Sequence, residues 1–193
     1  MAMTTQLTPA QVTEKLMIQF WTVGYGQTTV ADLAAAGQLS RSQFYRRYRS
    51  KPVALRQCLQ AYQTVLNQQL TRLIERDQAL GTPLPALLAD CLLMPFKSET
   101  WPAGCLMVNL MAEVGDADSL IADQTQAIYL DLQTRLVGLL TRQAQSLPAS
   151  TATIAASLMQ LRTGLQILAK QQPGMTQLKQ QAVASVTLLL KAG

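Results

Sequence analysis

Residues 28–51 read TTVADLAAAGQLSRSQFYRRYRSK, and this stretch restricts the fold more than any other part of the chain. Val30, Leu33 and Ala34 recur at i, i+3 and i+4, which puts them on one inward face of a short helix. Gly37 is expected to end that helix in a left-handed conformation, which glycine adopts at little steric cost, so that Leu39 drops from the turn into a small core. Ser40-Arg41-Ser42-Gln43 has the form of a capping box, in which serine and glutamine each satisfy the other's backbone amide and start a second helix. In that helix only Phe44 and Tyr48, four apart, need face inward. The outer face is left with Arg41, Ser42, Gln43, Tyr45, Arg46 and Arg47. Two short helices crossing at a glycine turn, the second polar on its outside, are the build of a helix-turn-helix, whose second helix enters the DNA major groove. Gln pairs by geometry with adenine, Arg with guanine and Tyr with a phosphate oxygen. A merely solvated basic helix is the alternative, and it gives no reason for the Gln and Tyr among the arginines.

Charge falls in the same place. Residues 1–62 carry seven basic side chains against Glu14 and Asp32, while the rest of the chain carries nine of each sign. The whole formal net charge of +5 therefore sits in the first third, mostly between Arg41 and Arg56, as a footprint for phosphates. A membrane surface fits less well, because the basic cluster lies on a short capped helix without a long apolar face to insert.

The remainder reads as helix. The chain is 193 residues long and 49% hydrophobic, rich in Ala, Leu and Gln, with no alternating Val/Ile runs of the kind strands need. Thr8-Pro9-Ala10-Gln11 caps a first helix running to about Val23, with Val12, Leu16, Phe20 and Val23 as its stripe. A fourth helix, 51–77, carries Leu55, Leu59, Tyr62, Leu66, Leu70 and Leu73 on one face and is expected to link two domains. Gly81-Thr82-Pro83 interrupts before a fifth helix over 84–94. A loop follows over 95–102, with Lys97, Ser98 and Glu99 in solvent and Trp101 as an anchor. Four more helical blocks cover 104–114, 119–145, 149–171 and 175–191, separated by Gly115-Asp116, Ser146-Leu147-Pro148 and Gln172-Pro173-Gly174. The sum is an all-α chain of about nine helices. The longest apolar runs, 105–112 and 186–190, are too short to span a bilayer, and no secretory signal opens the chain. With three cysteines lacking a pairing pattern, the expected place is a reducing bacterial cytoplasm, on the nucleoid when bound to DNA.

The string GYGQTTVADLAAAGQLSRSQFYRRYRSKPVAL resembles the amino-terminal domain of the tetracycline-repressor (TetR) family of bacterial regulators. The resemblance covers roughly residues 8–62. It rests on Gly24-Tyr25-Gly26, the TTV start, the AAG turn, the SxxxFYRxF-like core and the Ser50-Lys51 opening of the next helix. Two positions depart from the pattern. Tyr48 stands where Phe is commoner, and Pro52 where an acidic residue is frequent, although proline early in a helix is compatible with its missing donor. The resemblance implies an all-α homodimer whose residues 1–50 form a helix-turn-helix DNA-binding domain and whose residues 51–193 bind a small-molecule inducer and dimerise. The expected DNA contacts are Thr29, Ser40, Arg41, Ser42, Gln43, Tyr45, Arg46, Arg47 and Lys51, with double-stranded palindromic operator as partner and no cofactor.

The last two helices are unusually apolar, with Ile154, Leu158, Leu161, Leu165 and Leu168 in one and Leu178, Val183, Val186, Leu189 and Leu190 in the other. With the small residues Ala155, Ala156, Gly164 and Ala182 they suit either an internal core or a four-helix dimer interface. A dimer is the expectation, because two readers about one helical turn apart match a palindrome.

Cys105 sits at the expected amino terminus of the sixth helix, where the dipole lowers a thiol pKa. The GCLMVN segment there resembles a TetR subgroup in which some members respond to electrophiles or oxidants through cysteine. Lys170 is an isolated cation that would favour its thiolate, whereas an inert buried cysteine is the plainer reading, as it is for Cys58 and Cys91. A reversible pocket is the other trigger, with Leu88, Leu92, Trp101, Cys105, Met107, Asn109, Met111, Tyr129 and Leu165 as candidate lining and Asn109 and Glu113 as polar orientation or plain solvent-facing groups. Metal sensing has little support without histidine. Two further classes stay open. One is an all-α thiol enzyme using Cys105, which would lack a histidine base, and the other is a sequence-indifferent architectural DNA protein. No catalytic residues are expected.

Overall fold

A computed structural model describes residues 6–95, 101–115, 117–142, 147–171 and 174–191. Among the described residues there are nine α-helices and no strand: α1 Pro9–Val23, α2 Val30–Ala36, α3 Arg41–Tyr48, α4 Lys51–Ala79, α5 Leu84–Leu93, α6 Leu106–Glu113, α7 Ser119–Thr141, α8 Thr151–Lys170 and α9 Met175–Lys191. No helix among them is long and apolar enough to cross a membrane. The expected solvation of Lys97, Ser98 and Glu99 and the breaks at Asp116, Ser146 and 172–173 lie outside the described residues.

The chain divides into two compact units, one formed by residues up to Val65 with Asn109–Thr125, the other by Leu66–Val108 with the segment from Gln126 onward. In the first unit α1 starts on a capping box, Thr8 Oγ1 accepting from the Gln11 amide at 3.3 Å and Gln11 Oε1 from the Thr8 amide at 2.8 Å. Its buried stripe is Val12, Leu16, Met17, Phe20 and Trp21. Val23, the last residue of α1, is 45% exposed instead of continuing the stripe, which takes in Met17 and Trp21. Phe44 and Tyr48 are fully buried beneath α3, as their spacing predicts.

Gly37 corrects the sequence reading. Its φ is −82°, an ordinary conformation, and the left-handed residue of the turn is Gln38 at φ 52°. Glycine stands at 37 for lack of room: a Cβ there would lie 2.9 Å from Leu16 Cδ1 and 3.1 Å from Val12 Cγ1. The turn is therefore pressed against α1, and Leu39 is half-buried beside it.

In the second unit α5, α8 and α9 pack on one another. α5 is buried from Leu87 through Leu93, as befits a helix with apolar residues all round. Leu66, Leu70 and Leu73 continue the predicted face of α4 into this unit. Ile154, Leu158, Leu165, Leu178, Ala182 and Val186 are likewise inside it. Of the residues named for a dimer face, these fill the chain's own core. Of the apolar groups of α8 and α9, Ile167 and Leu168 are 49% and 44% exposed and Met175 and Leu188 are 42% and 71% exposed, while Leu161, Val183, Leu189 and Leu190 are half-buried.

Candidate nucleic-acid interface

The second helix of the motif begins at Ser40, whose Oγ accepts from the Gln43 amide at 3.1 Å while Gln43 Oε1 accepts from the Ser40 amide at 2.7 Å. The expected capping box is present, and it occupies the carbonyl oxygen that Gln43 would offer an adenine. Ser42 Oγ lies 3.0 Å from Ser40 Oγ. Thr29 caps α2 in a second box, which the sequence reading missed. Asp32 Oδ2 accepts from the Thr29 amide and hydroxyl at 2.8 and 2.7 Å, and these bonds hold the Asp32 carboxyl below its ordinary value. The signal was available as T-x-x-D ahead of an apolar run.

Arg41, Ser42, Gln43, Tyr45, Arg46 and Arg47 are all exposed on one helix of eight residues. Arg41 stacks over the Tyr45 ring at 5.8 Å. Arg47 is turned back, donating from Nη2 to the Pro9 carbonyl at 2.9 Å and lying 5.2 Å above the Tyr48 ring. Lys51 is half-buried, its Nζ donating to the carbonyls of Tyr25 and Thr28 at 2.8 and 2.9 Å and standing 4.4 Å over the Tyr25 ring. Two of its three donors therefore brace the turn after α1, leaving one for a phosphate.

That turn is held from its other side by Glu113, whose carboxylate accepts from the Tyr25 and Gly26 amides at 2.8 and 2.6 Å. Gly24 makes room for it, since at φ 95° a Cβ would sit 3.1 Å from the carboxylate oxygen. Asn109 Nδ2 donates to the Trp21 carbonyl at 3.5 Å. Asn109 and Glu113 thus fasten the end of α6 to the end of α1, which corrects the expectation of pocket orientation or plain solvent exposure. Burial, and after it the Asp118 charge, keep the Tyr25 phenol above its usual value.

In the second unit a narrow cavity of about 10 Å³ is lined by Leu70, Leu92, Leu132, Leu136, Met159 and Arg162, among others. Of the sequence candidates Leu92 lines it. Leu88, Cys105, Met107 and Leu165 are buried without lining it, Trp101 is 8% exposed and Tyr129 is half-buried. Met111 is 39% exposed and belongs, with Asn109, to the first unit, so neither joins this cavity.

Cys105 immediately precedes α6 and is fully buried, with Arg162 Nη2 donating to its Sγ at 3.5 Å. The cation that sequence reasoning missed is thus Arg162, hidden within a run of helical residues that carries no motif. Lys170 lies with its stem against Gly104, where a Cβ would come within 2.9 Å of its Cγ. Burial pushes the thiols of Cys58 and Cys91 up to about 12, which fits their reading as packing groups. Among the described residues, no group of three or more His, Cys, Asp or Glu is placed to hold a metal.

No protein-family model and no curated protein matches the chain. Solved structures do. A TetR-family transcriptional regulator from Cytophaga hutchinsonii is similar at a TM-score of 0.77 and 16% identity, covering 96% of each chain. A cysteine mutant of the TetR-family regulator CifR, complexed with 26-bp operator DNA, aligns at 0.74 and 19% identity over 96% of this chain and 97% of its own. The regulator FadR from Bacillus subtilis, in complex with stearoyl-CoA, aligns at 0.70 and 15% identity over 96% and 100%. The nine helices, with the capped pair α2 and α3 near the amino terminus, therefore have the fold of the TetR-family transcriptional regulators.

Proposed function

We propose that this chain is a sequence-specific DNA-binding transcriptional regulator, a homodimeric repressor that leaves a palindromic operator when a small molecule binds or a cysteine is modified. The observation that carries the reading is the capped, exposed face of α3, with Gln43, Tyr45 and three arginines braced on buried Phe44 and Tyr48. Residues 1–50 serve as the reader and 51–193 as the ligand-binding and dimerising part. Arg41, Ser42 and Gln43 meet bases, while Thr29, Ser40, Tyr45, Arg46, Arg47 and the remaining donor of Lys51 hold phosphates. The first third of the chain carries the net positive charge that such contacts need. Dimerisation runs through the outer apolar groups of α8 and α9, Ile167, Leu168 and Leu188. An inducer works by favouring a form in which the two readers no longer match the operator. Arg162 Nη2, donating to the Cys105 sulfur at 3.5 Å, supports modification of Cys105 as a second trigger. The protein acts in the cytoplasm, without a cofactor.

The test is selection of bound duplexes from genomic DNA, followed by titration of the recovered and scrambled sequences. Gln43→Ala is expected to relax preference at particular bases by about 1–3 kcal/mol, part of it through the lost cap. Arg46→Ala should weaken binding to every sequence and lower the salt slope by about one. Equal losses for both variants on all sequences would reject this division of roles, and failure to recover any preferred duplex would reject the regulator itself.

A further inference from the structure

Arg162, on α8, is 1% exposed. One part of it is committed. Nη1 donates to the carbonyls of Cys91 and Leu92 at 3.3 and 2.7 Å, at the negative end of α5. Gln166, one turn further along α8, adds Nε2 bonds to the Leu92 and Met94 carbonyls at 2.9 and 3.0 Å. The α5 terminus is therefore well supplied with donors.

The other edge of the guanidinium is not. Nη2 meets the Cys105 thiol at 3.5 Å, a long contact to a weak acceptor, and Nε has no hydrogen-bond partner. Asp77, Asp131 and Asp90 pair with Arg76, Arg135 and Lys179, Asp77 keeping a buried Oδ2 without a hydrogen-bond partner, and among the described residues no carboxylate pairs with Arg162. A buried cation in this condition is costly until a counter-charge reaches it. The Nε and Nη2 pair is the side of a guanidinium that a carboxylate takes in bidentate fashion. Arg162 also lines the cavity closed by Leu70, Leu92, Leu132, Leu136 and Met159, whose volume of about 10 Å³ has room for about one water molecule.

We propose that this cavity is the ligand site and that it takes a molecule with one carboxylate on an apolar body, the carboxylate forking onto Nε and Nη2 of Arg162. The inference rests on reading the second unit as the ligand-binding part of a regulator. A neutral ligand leaves the guanidinium edge unpaired, and a polar body buries unsatisfied groups against leucines and a methionine. The lining helices must part to admit the body, with Met159 adapting most easily. Binding that requires the expanded form gives the ligand the differential affinity by which an inducer shifts an equilibrium.

Octanoate and octan-1-ol, which share a tail and differ in charge, are the probes for calorimetric titration of the full chain. Octanoate is expected to bind at least tenfold tighter than octanol. Arg162→Met, which keeps the apolar stem, should abolish the preference, and Cys105→Ser should retain it. Arg162→Lys, which keeps charge without the fork, covers the case in which the Met variant fails to fold and should lose most of the preference. Equal binding of the two probes, binding of neither, or a preference surviving in either folded Arg162 variant overturns the proposal. Operator affinity of the unliganded protein is measured on the same samples: intact operator binding with no octanoate preference rejects the ligand class alone, whereas absent operator binding rejects the regulator reading on which it stands.

Discussion

Gly37→Ala separates two accounts of the turn between α2 and α3. At φ −82° and ψ 1° an alanine meets no backbone strain, and by narrowing the unfolded ensemble it would on its own stabilise the protein by about 0.4–1 kcal/mol. The new methyl would, however, come within 2.9 Å of Leu16 Cδ1, 3.1 Å of Val12 Cγ1 and 3.3 Å of the Leu33 carbonyl oxygen. Leu16 and Leu33 are fully buried and Val12 nearly so, so none can swing into solvent. Overpacking of that kind costs about 1–3 kcal/mol, which leaves a net loss of roughly 0.5–2 kcal/mol. The assay is urea unfolding followed by circular dichroism, read as a shift in midpoint at constant slope. Leu16→Ala alone should cost about 2–5 kcal/mol by opening a cavity, and that cavity removes the closest contact to the new methyl. In the Leu16→Ala background Gly37→Ala should therefore cost about 1 kcal/mol less than in the parent, a coupling well above the spread of independent sites. A penalty of the same size in both backgrounds would refute the steric account.

Leu168→Glu should yield monomer in sedimentation with its helicity kept, because Leu168 is 44% exposed, whereas Val186→Glu should unfold the protein by driving a charge into a fully buried position. A Leu168→Glu variant still dimeric at low micromolar concentration would place the interface elsewhere. Burial raises the Cys58 and Cys91 thiols from 9.0 to about 12. Because the folded values lie above the unfolded ones, their contribution to stability is complete below about pH 9 and drains away as the pH climbs toward 12. Urea midpoints should accordingly fall above pH 9, and iodoacetamide at neutral pH should label both thiols only after unfolding. Mass spectrometry finding either residue alkylated in the folded protein would contradict the burial.

Local chemistry let the sequence alone determine the helices and the outward face of α3. Capping boxes at Thr8 and Ser40, the spacing of Phe44 and Tyr48, and the apolar ladder from Leu55 to Leu73 act within one or two turns of chain, so their effect can be read without a partner segment. Tertiary structure decided which of several chemically equal roles each residue took. Periodicity cannot tell a core leucine from an interface leucine, and only packing assigned Leu158 and Val186 to the inside and Leu168 to the outside. Glu113 and Asn109 look like pocket groups on a helical face, yet 87 and 88 residues earlier in the chain lie the backbone groups of Gly26 and Trp21 that claim them. Arg162 carried no local signal, because what distinguishes it is the set of carbonyls, thiol and cavity that surrounds it after folding. Gly37 shows the limit most plainly: its place after the helix was legible, but the reason for it is two methyl groups of α1 that no neighbouring residue reveals.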